Sequence, residues 1–274
     1  MTAPSVVLNN GIEIPQVGFG VWRVPSAETQ RVVKTALDAG YRHIDTAKLY
    51  GNEDGVGAAV RESGLDRDTV FVTSKVWNSD QGYDSTLRAF DATMDRLGFD
   101  VLDLYLIHWP RPDAGTAADT WRAMEKLYVD GRIRAIGVSN YRPEHLRRLL
   151  DTAEVVPAVN QVELHPYLQQ TDTRAANDAA GIATEAWAPI AKGGDLLRDP
   201  VVTGLAEKHE RTPAQVVLRW HLQLHTIVIP KSVTPSRIAE NIDVFDFGLD
   251  AEDMAAIAGL DREGRTGPHP DQVS

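Results

Sequence analysis

The sequence predicts an α/β protein: a (β/α)8 TIM barrel with an N-terminal β-hairpin. Three observations carry that expectation. Eight short β-rich runs alternate with helical patterns along the chain. Several of these runs are almost continuously apolar, as strands buried on both faces are. The length of 274 residues suits one α/β barrel, so residues 1–274 are read as a single domain. Strand–helix alternation repeated this often implies parallel strands joined by right-handed crossovers.

The elements follow in order. Val6–Leu8 and Ile12–Ile14 bracket Asn9-Asn10-Gly11, a hairpin signal, and such a hairpin would plug the barrel floor. Barrel strands are expected at Val17–Gly20, Arg42–Ile44, Val70–Ser74, Asp103–Ile107, Arg134–Val138, Ala158–Gln161, Ile182–Trp187 and Thr226–Ile229. Between them, Ser26 is placed to cap a helix carrying Val33, Ala36 and Leu37 on one face, stopped by Gly40. Leu87, Phe90, Met94 and Leu97 recur at helical spacing before Gly98, and Trp121, Met124 and Leu127 do so before Gly131. Thr212-Pro213-Ala214-Gln215 is a capping box with proline at the first helical position, and Thr234-Pro235 repeats the threonine–proline start. No linker or low-complexity segment interrupts the pattern, and Gly264–Ser274 reads as the one loose end.

Composition narrows the function. Hydrophobic residues make up 43% and charged residues 24%, values of an ordinary globular protein. The formal net charge of -11 disfavours nucleic acid and anionic membranes as partners, so any anionic ligand needs a local basic cluster. Cysteine is absent, which removes disulfides, thiolate metal sites and cysteine nucleophiles together. The start, MTAPSVVLNNG, lacks the basic and apolar regions of a signal peptide. No apolar run approaches the roughly 20 residues that span a bilayer. A cytoplasmic monomer is the expectation.

The C-terminal strand ends of a parallel barrel share one rim, where such folds do their chemistry. Along that rim the sequence delivers Trp22, Asp45 with Tyr50, Lys75, His108, Ser139-Asn140, Gln161, Trp187 and Lys231-Ser232. Each has an ordinary alternative taken singly. Asp45 suits a turn cap, Lys75 a solvated surface, Tyr50 a packed loop ring, and His108 a buried hydrogen-bonded histidine. Together, a phenol, an ammonium, a carboxylate and an imidazole cover what a proton-transfer site needs. A phenol has a pKa of about 10, and an adjacent ammonium is expected to lower it by roughly 1–3. Asp45 would keep Lys75 charged and placed, and His108 would orient a carbonyl oxygen.

The segments Gly18–Trp22 (GFGVW), Asp45–Glu53 (DTAKLYGNE), Thr73–Trp77 (TSKVW), Leu104–Pro110 (LYLIHWP), Ile136–Asn140 (IGVSN), Gln161–Pro166 (QVELHP) and Ile229–Ser232 (IPKS) resemble the aldo-keto reductases, in order and over nearly the whole chain. The compact length resembles the bacterial branch that includes diketogluconate reductases. The resemblance implies NADPH-dependent reduction of small-molecule aldehydes and ketones. It assigns Tyr50 as proton donor, with Asp45, Lys75 and His108 completing a tetrad and no metal required.

The resemblance also implies a cofactor lying extended over the barrel mouth. Absence of a dinucleotide fingerprint therefore fits, and Gly55-Val56-Gly57 is read as helix N-terminal sequence. Ser139, Asn140 and Gln161 would hydrogen-bond the carboxamide, and Trp187, where other branches carry tyrosine, would stack on the nicotinamide. Ala188 and Pro189 follow that ring, and the loop beginning Ala191-Lys192 and running to Asp195 is a candidate for the pyrophosphate. Lys231, Ser232 and Arg237 would hold the 2′-phosphate at a helix start, with Asn241 by adenine, and Ile229, Val233, Thr234 and Glu240 complete the expected cofactor contacts. A capped helix with ordinary surface charges is the alternative there. Trp22, Trp77 and Trp109 would wall the substrate pocket, or simply pack the barrel. Little chain remains after Arg262, so an open, tolerant pocket is expected.

His165 is read as structural, His209, His221 and His225 as surface or packing residues, and His269 as part of the tail. No His/Asp/Glu group has metal-ligand spacing. A nucleotide-binding regulatory barrel and a metal-dependent barrel hydrolase or lyase are the competing classes. The intact set of four disfavours the first and the missing ligand cluster the second.

Overall fold

The computed structural model describes residues 3–273. Strands β1 (Ser5–Val7) and β2 (Glu13–Pro15) pair antiparallel with Val6 opposite Ile14. The eight-stranded sheet that follows is β3 (Phe19–Gly20), β4 (His43–Asp45), β5 (Phe71–Val76), β6 (Leu102–Ile107), β7 (Ile133–Ser139), β8 (Val159–Glu163), β9 (Ala183–Trp187) and β10 (Ile227–Val228). Each strand lies parallel beside its neighbour in sequence. A parallel bridge between Val17 and Val228 closes the barrel, with the Gly18 N–H on the Val228 carbonyl at 2.8 Å. Each expected strand is present, although β3 and β10 keep only two residues because closure runs through single backbone bonds.

Helices α1 (Ser26–Asp38), α2 (Glu53–Arg61), α3 (Tyr83–Leu97), α4 (Ala117–Val129), α5 (Pro143–Leu150), α6 (Thr171–Ala179), α7 (Pro200–Lys208), α8 (Pro213–Gln223), α9 (Pro235–Ile242) and α10 (Ala251–Ala258) follow or connect the strands. Gly98 ends α3 in the left-handed region at φ 68°, which an L side chain resists. The capping box at Thr212 and Gln215 is present. Ser26, by contrast, is the first helical residue rather than the cap. The chain enters through an extended Pro25, and that residue takes the cap position without a side-chain bond. At α9 it is Ser232 Oγ that accepts a bond, from the Thr234 N–H at 3.1 Å, and Thr234 makes no side-chain cap.

Alternation along the strands sorts the core into two layers. Tyr105 and Ile107 of β6 face outward onto the helices, with Phe90, Trp121 and Trp220. Leu104 and Leu106 face into the barrel. There they meet Leu8 and Ile14 of the hairpin together with Phe71, Ala135, Val159 and Ile227. Asn9 and Asn10 pin the hairpin by donating to the Pro157 and Arg134 carbonyls at 3.0 and 2.9 Å. The hairpin plugs the floor, as its sequence implied. Gly55 and Gly57 are packing residues in α2: a Cβ on Gly57 would overlap the Leu97 carbonyl of α3.

The tail is not loose. The Gly264 N–H reaches the Tyr167 carbonyl at 2.7 Å, and Glu163 Oε1, buried at the end of β8, accepts from the Thr266 N–H at 2.6 Å. Asp271 pairs with Arg142 at 2.5 Å. A buried carboxylate acceptor thus holds a segment whose own sequence carries no periodic signal; Ser274 lies outside the described residues. Its residues Thr266, Gly267 and Pro268 also line the cavity at the barrel mouth.

Candidate active site

Adjacent parallel strands set the ends of β4, β5 and β6 side by side. Asp45 ends β4, Lys75 is the penultimate residue of β5, and His108 follows β6. Tyr50 arrives by a short 3-10 turn, Lys48–Tyr50, which Gly51 terminates at φ 65°. Lys75 is fully buried, and its ammonium meets Asp45 Oδ1 and Oδ2 at 2.7 Å each, the Thr46 carbonyl at 2.9 Å and Tyr50 Oη at 3.5 Å. The Tyr50 ring centroid lies 4.8 Å from that of Trp22 and 5.8 Å from that of His108. Trp77 meets the His108 ring edge-on at 5.1 Å, and Trp109 stacks beside it at 6.4 Å.

Burial sets the protonation states here. It works against the Lys75 ammonium, but the Asp45 carboxylate and then Tyr50 outweigh it and hold the lysine above its ordinary value. Burial also drives Tyr50 up to about 12, with the Lys75 charge only partly opposing it. The expected depression of the phenol below its ordinary value therefore does not occur. Desolvation by the ring's neighbours outweighs the ammonium 3.5 Å away. His108 is held well below its ordinary value by burial and then by Lys75, so its imidazole is neutral.

A cavity of about 1030 Å³ opens above these groups. Of the residues expected at the site, Asp45, Tyr50, His108, Trp22 and Trp109 line it. So do Ser139, Asn140, Gln161, Trp187, Ala188, Pro189, Lys192 and Ile229, and so do Lys231, Ser232, Arg237, Glu240 and Asn241. Five others do not line it. Lys75 sits beneath Tyr50 and Trp77 behind His108. Ala191 packs among Tyr167, Leu196 and Val202, Val233 faces outward, and Thr234 turns its N–H to Ser232.

Part of the cavity wall is an amide shelf. Ser139 Oγ donates to the Gln161 carbonyl at 2.8 Å, and Asn140, at φ 66°, donates to the His108 carbonyl at 2.9 Å. The Trp187 indole N–H is fixed on Asn140 Oδ1 at 2.8 Å. Gln161 spends both amide hydrogens below the shelf, on Asp45 and Glu185, at 2.8 Å each. Lys231 and Arg237, also in the wall, have no ion-pair partner among the described residues. They flank the start of α9, in a chain whose net charge is -11. Two such cations at a helix N-terminus suit an anion.

Sequence reasoning missed several residues. Arg23, Thr212 and the tail residues Thr266, Gly267 and Pro268 also line the cavity. Glu185 is buried inside the barrel beside His43, and a glutamate in the middle of a buried strand (ATEAW) was a legible signal. His165 bonds Glu163 at 3.2 Å, and His221 is buried with Nε2 on the Pro189 carbonyl at 2.9 Å; both are packing roles. Away from the cavity, Glu144, His145 and Asp271 cluster with ligand atoms within 4.8 Å of one another, but the Arg142 guanidinium already pairs with both carboxylates.

Comparison with known proteins identifies the family. Residues 16–262 match the model of the Aldo/keto reductase family. An aldo-keto reductase of Mycobacterium sp. (strain JLS) is 58% identical over 270 residues, covering 98% of each chain. The glyoxal reductase of Bacillus subtilis (strain 168) is 52% identical, covering 98% of this chain and 97% of its own. Among solved structures, a Gox0644 variant in complex with NADPH is 50% identical and superposes with a TM-score of 0.95 over 100% of both chains.

Proposed function

Because the chain belongs to the aldo/keto reductase family and is an NADP-dependent oxidoreductase, we propose that it reduces small-molecule aldehydes and ketones to alcohols, with Tyr50 as the proton donor. NADPH, when bound, supplies the hydride for the carbonyl carbon. The residues present suit it. Lys231, Ser232 and Arg237 would hold the 2′-phosphate at the start of α9, with Val233 and Thr234 in that turn. Asn241 would lie by adenine with Glu240 near it, and Ala188, Pro189, Lys192 and Ile229 would flank the stretch between, with Ala191 packed behind. Trp187 would stack on the nicotinamide. Ser139, Asn140 and Gln161 would meet the carboxamide, and because their donor hydrogens are already engaged they offer it their oxygens.

The observation that carries the chemistry is the buried Lys75 ammonium, gripped by Asp45 and facing Tyr50 Oη. Tyr50 stays protonated at neutral pH, as an acid must before it is used. It gives its proton to the substrate oxygen as that oxygen gains negative charge. The neutral His108 donates a hydrogen bond to the same oxygen. Lys75 then stabilises the tyrosinate left behind, which offsets part of the cost of ionising a partly buried phenol. Trp22, Trp77 and Trp109 supply the apolar walls and the support behind His108.

Tyr50→Phe should lower kcat for a reactive aldehyde by about 10²–10⁴-fold while NADPH still binds, and a chelator should change nothing. Nicotinamide absorbance reports turnover and cofactor fluorescence reports binding. Wild-type turnover by Tyr50→Phe would remove Tyr50 from the role.

A further inference from the structure

Strand β9 carries a carboxyl group that the chemistry above does not use. Glu185 is fully buried inside the barrel. Parallel pairing places Gln161 of β8 beside it. The Gln161 amide gives one N–H to Glu185 Oε2 and the other to Asp45 Oδ2, both at 2.8 Å. Asp45 grips Lys75, and Lys75 faces Tyr50. The chain of contacts therefore runs without a gap from Glu185 to the phenol.

Charge decides what Glu185 is. The titratable groups facing it are His43 and Asp45 from β4, Lys75 from β5 and, beyond Lys75, Tyr50. Strand β8 offers the Gln161 amide, and β10 and β3 present Ile227, Val228, Phe19 and Gly20, which do not titrate. One ammonium thus serves two carboxyl groups, and Asp45 already holds it with both oxygens. His43, held down to about 3 by burial, adds no positive charge. Glu185 Oε1 lies 3.6 Å from His43 Nε2 and has no hydrogen-bond partner among the described residues. Burial first, and the Asp45 charge second, push Glu185 far above the usual carboxylate range.

We infer that Glu185 is a positioning residue of the reaction: as a neutral acid it fixes the Gln161 amide, which fixes Asp45 and Lys75 beneath Tyr50, and its ionisation sets the alkaline side of the activity profile. The sign follows from the charge. An ionised Glu185 adds a negative charge near the phenol and opposes tyrosinate. Alcohol oxidation, which needs Tyr50 as a base, is then delayed to higher pH. The inference rests on the proposed role of Tyr50, but the proton on Glu185 does not.

Two measurements on the full-length protein test it. In Glu185→Gln, a neutral isostere that still accepts from Gln161, the alkaline rise of kcat/KM for alcohol oxidation should move to lower pH by about half a pH unit or more. Glu185→Leu, which leaves a Gln161 N–H buried and unpaired, should lower kcat about tenfold across the profile, and Glu185→Gln should restore it. Infrared titration of protein carrying ¹³C-labelled glutamate should show a protonated carboxyl at neutral pH that is lost on the alkaline side, and absent in Glu185→Gln. This second measurement needs no turnover, so it stands even if Tyr50→Phe proves fully active. Superimposable profiles for wild type and Glu185→Gln, or no protonated carboxyl assignable to Glu185 at neutral pH, would overturn the inference.

Discussion

Lys75 spends its ammonium hydrogens entirely inside the protein, on Asp45, the Thr46 carbonyl and Tyr50. A group so placed loses nothing further to desolvation when substrate arrives, so the cost of burying its charge is met in folding. Lys231 and Arg237 show the opposite arrangement, cations without an ion-pair partner among the described residues. Removing one should cost a charged ligand selectively. Arg237→Ala should raise the KM for NADPH by about 10–100-fold, a charge-assisted hydrogen bond being worth roughly 1.5–3 kcal/mol, and should leave NADH nearly unchanged. Steady-state kinetics with both cofactors check it, and equal losses would take the 2′-phosphate away from Arg237. Asp45, Tyr50, Lys75 and His108 were legible in the sequence because each closes or follows an apolar run. The direction of the Tyr50 shift was not, since it depends on Trp22 and His108, brought to the ring by distant parts of the chain.

Between α2 and α3 the backbones approach closely at Gly57, beside the Leu97 carbonyl, which also accepts from the Arg61 side chain. No side chain can enter that gap without parting the helices. Gly57→Ala should therefore destabilise the fold by about 1–3 kcal/mol, as an overpacked interface does, and urea unfolding should show a lower midpoint with an unchanged slope. An unchanged midpoint would mean that the helices separate at little cost. The strands and most helices were legible because their periods are strong. The tail was not. Its order comes from one buried acceptor, Glu163, and from Asp271 meeting Arg142, contacts between segments more than a hundred residues apart.

Across the whole molecule, His43, His108 and His221 are buried and neutral, held below their ordinary values chiefly by burial, with His43 and His221 down to about 3. The unfolded chain takes up protons near the ordinary histidine value of 6.5 while the folded one does not. Stability is therefore complete above that value and is lost as pH falls from it toward about 3. Glu185 has the opposite sign. Its folded value is raised, so its contribution is complete below the unfolded value and fades as pH rises through the folded one. Over the interval from about pH 7 to about pH 5 Glu185 offsets part of the loss, but three histidines act against one glutamate, so the melting temperature should still fall, before most carboxylates titrate. A flat melting temperature over that interval would mean that these histidines carry charge in the fold.

The hairpin beneath the barrel has a consequence for traffic. With Leu8 and Ile14 seated among Leu104, Leu106 and Ile227, the barrel is a cul-de-sac. Whatever comes in must go out by the same door, and the water it displaces must pass it on the way.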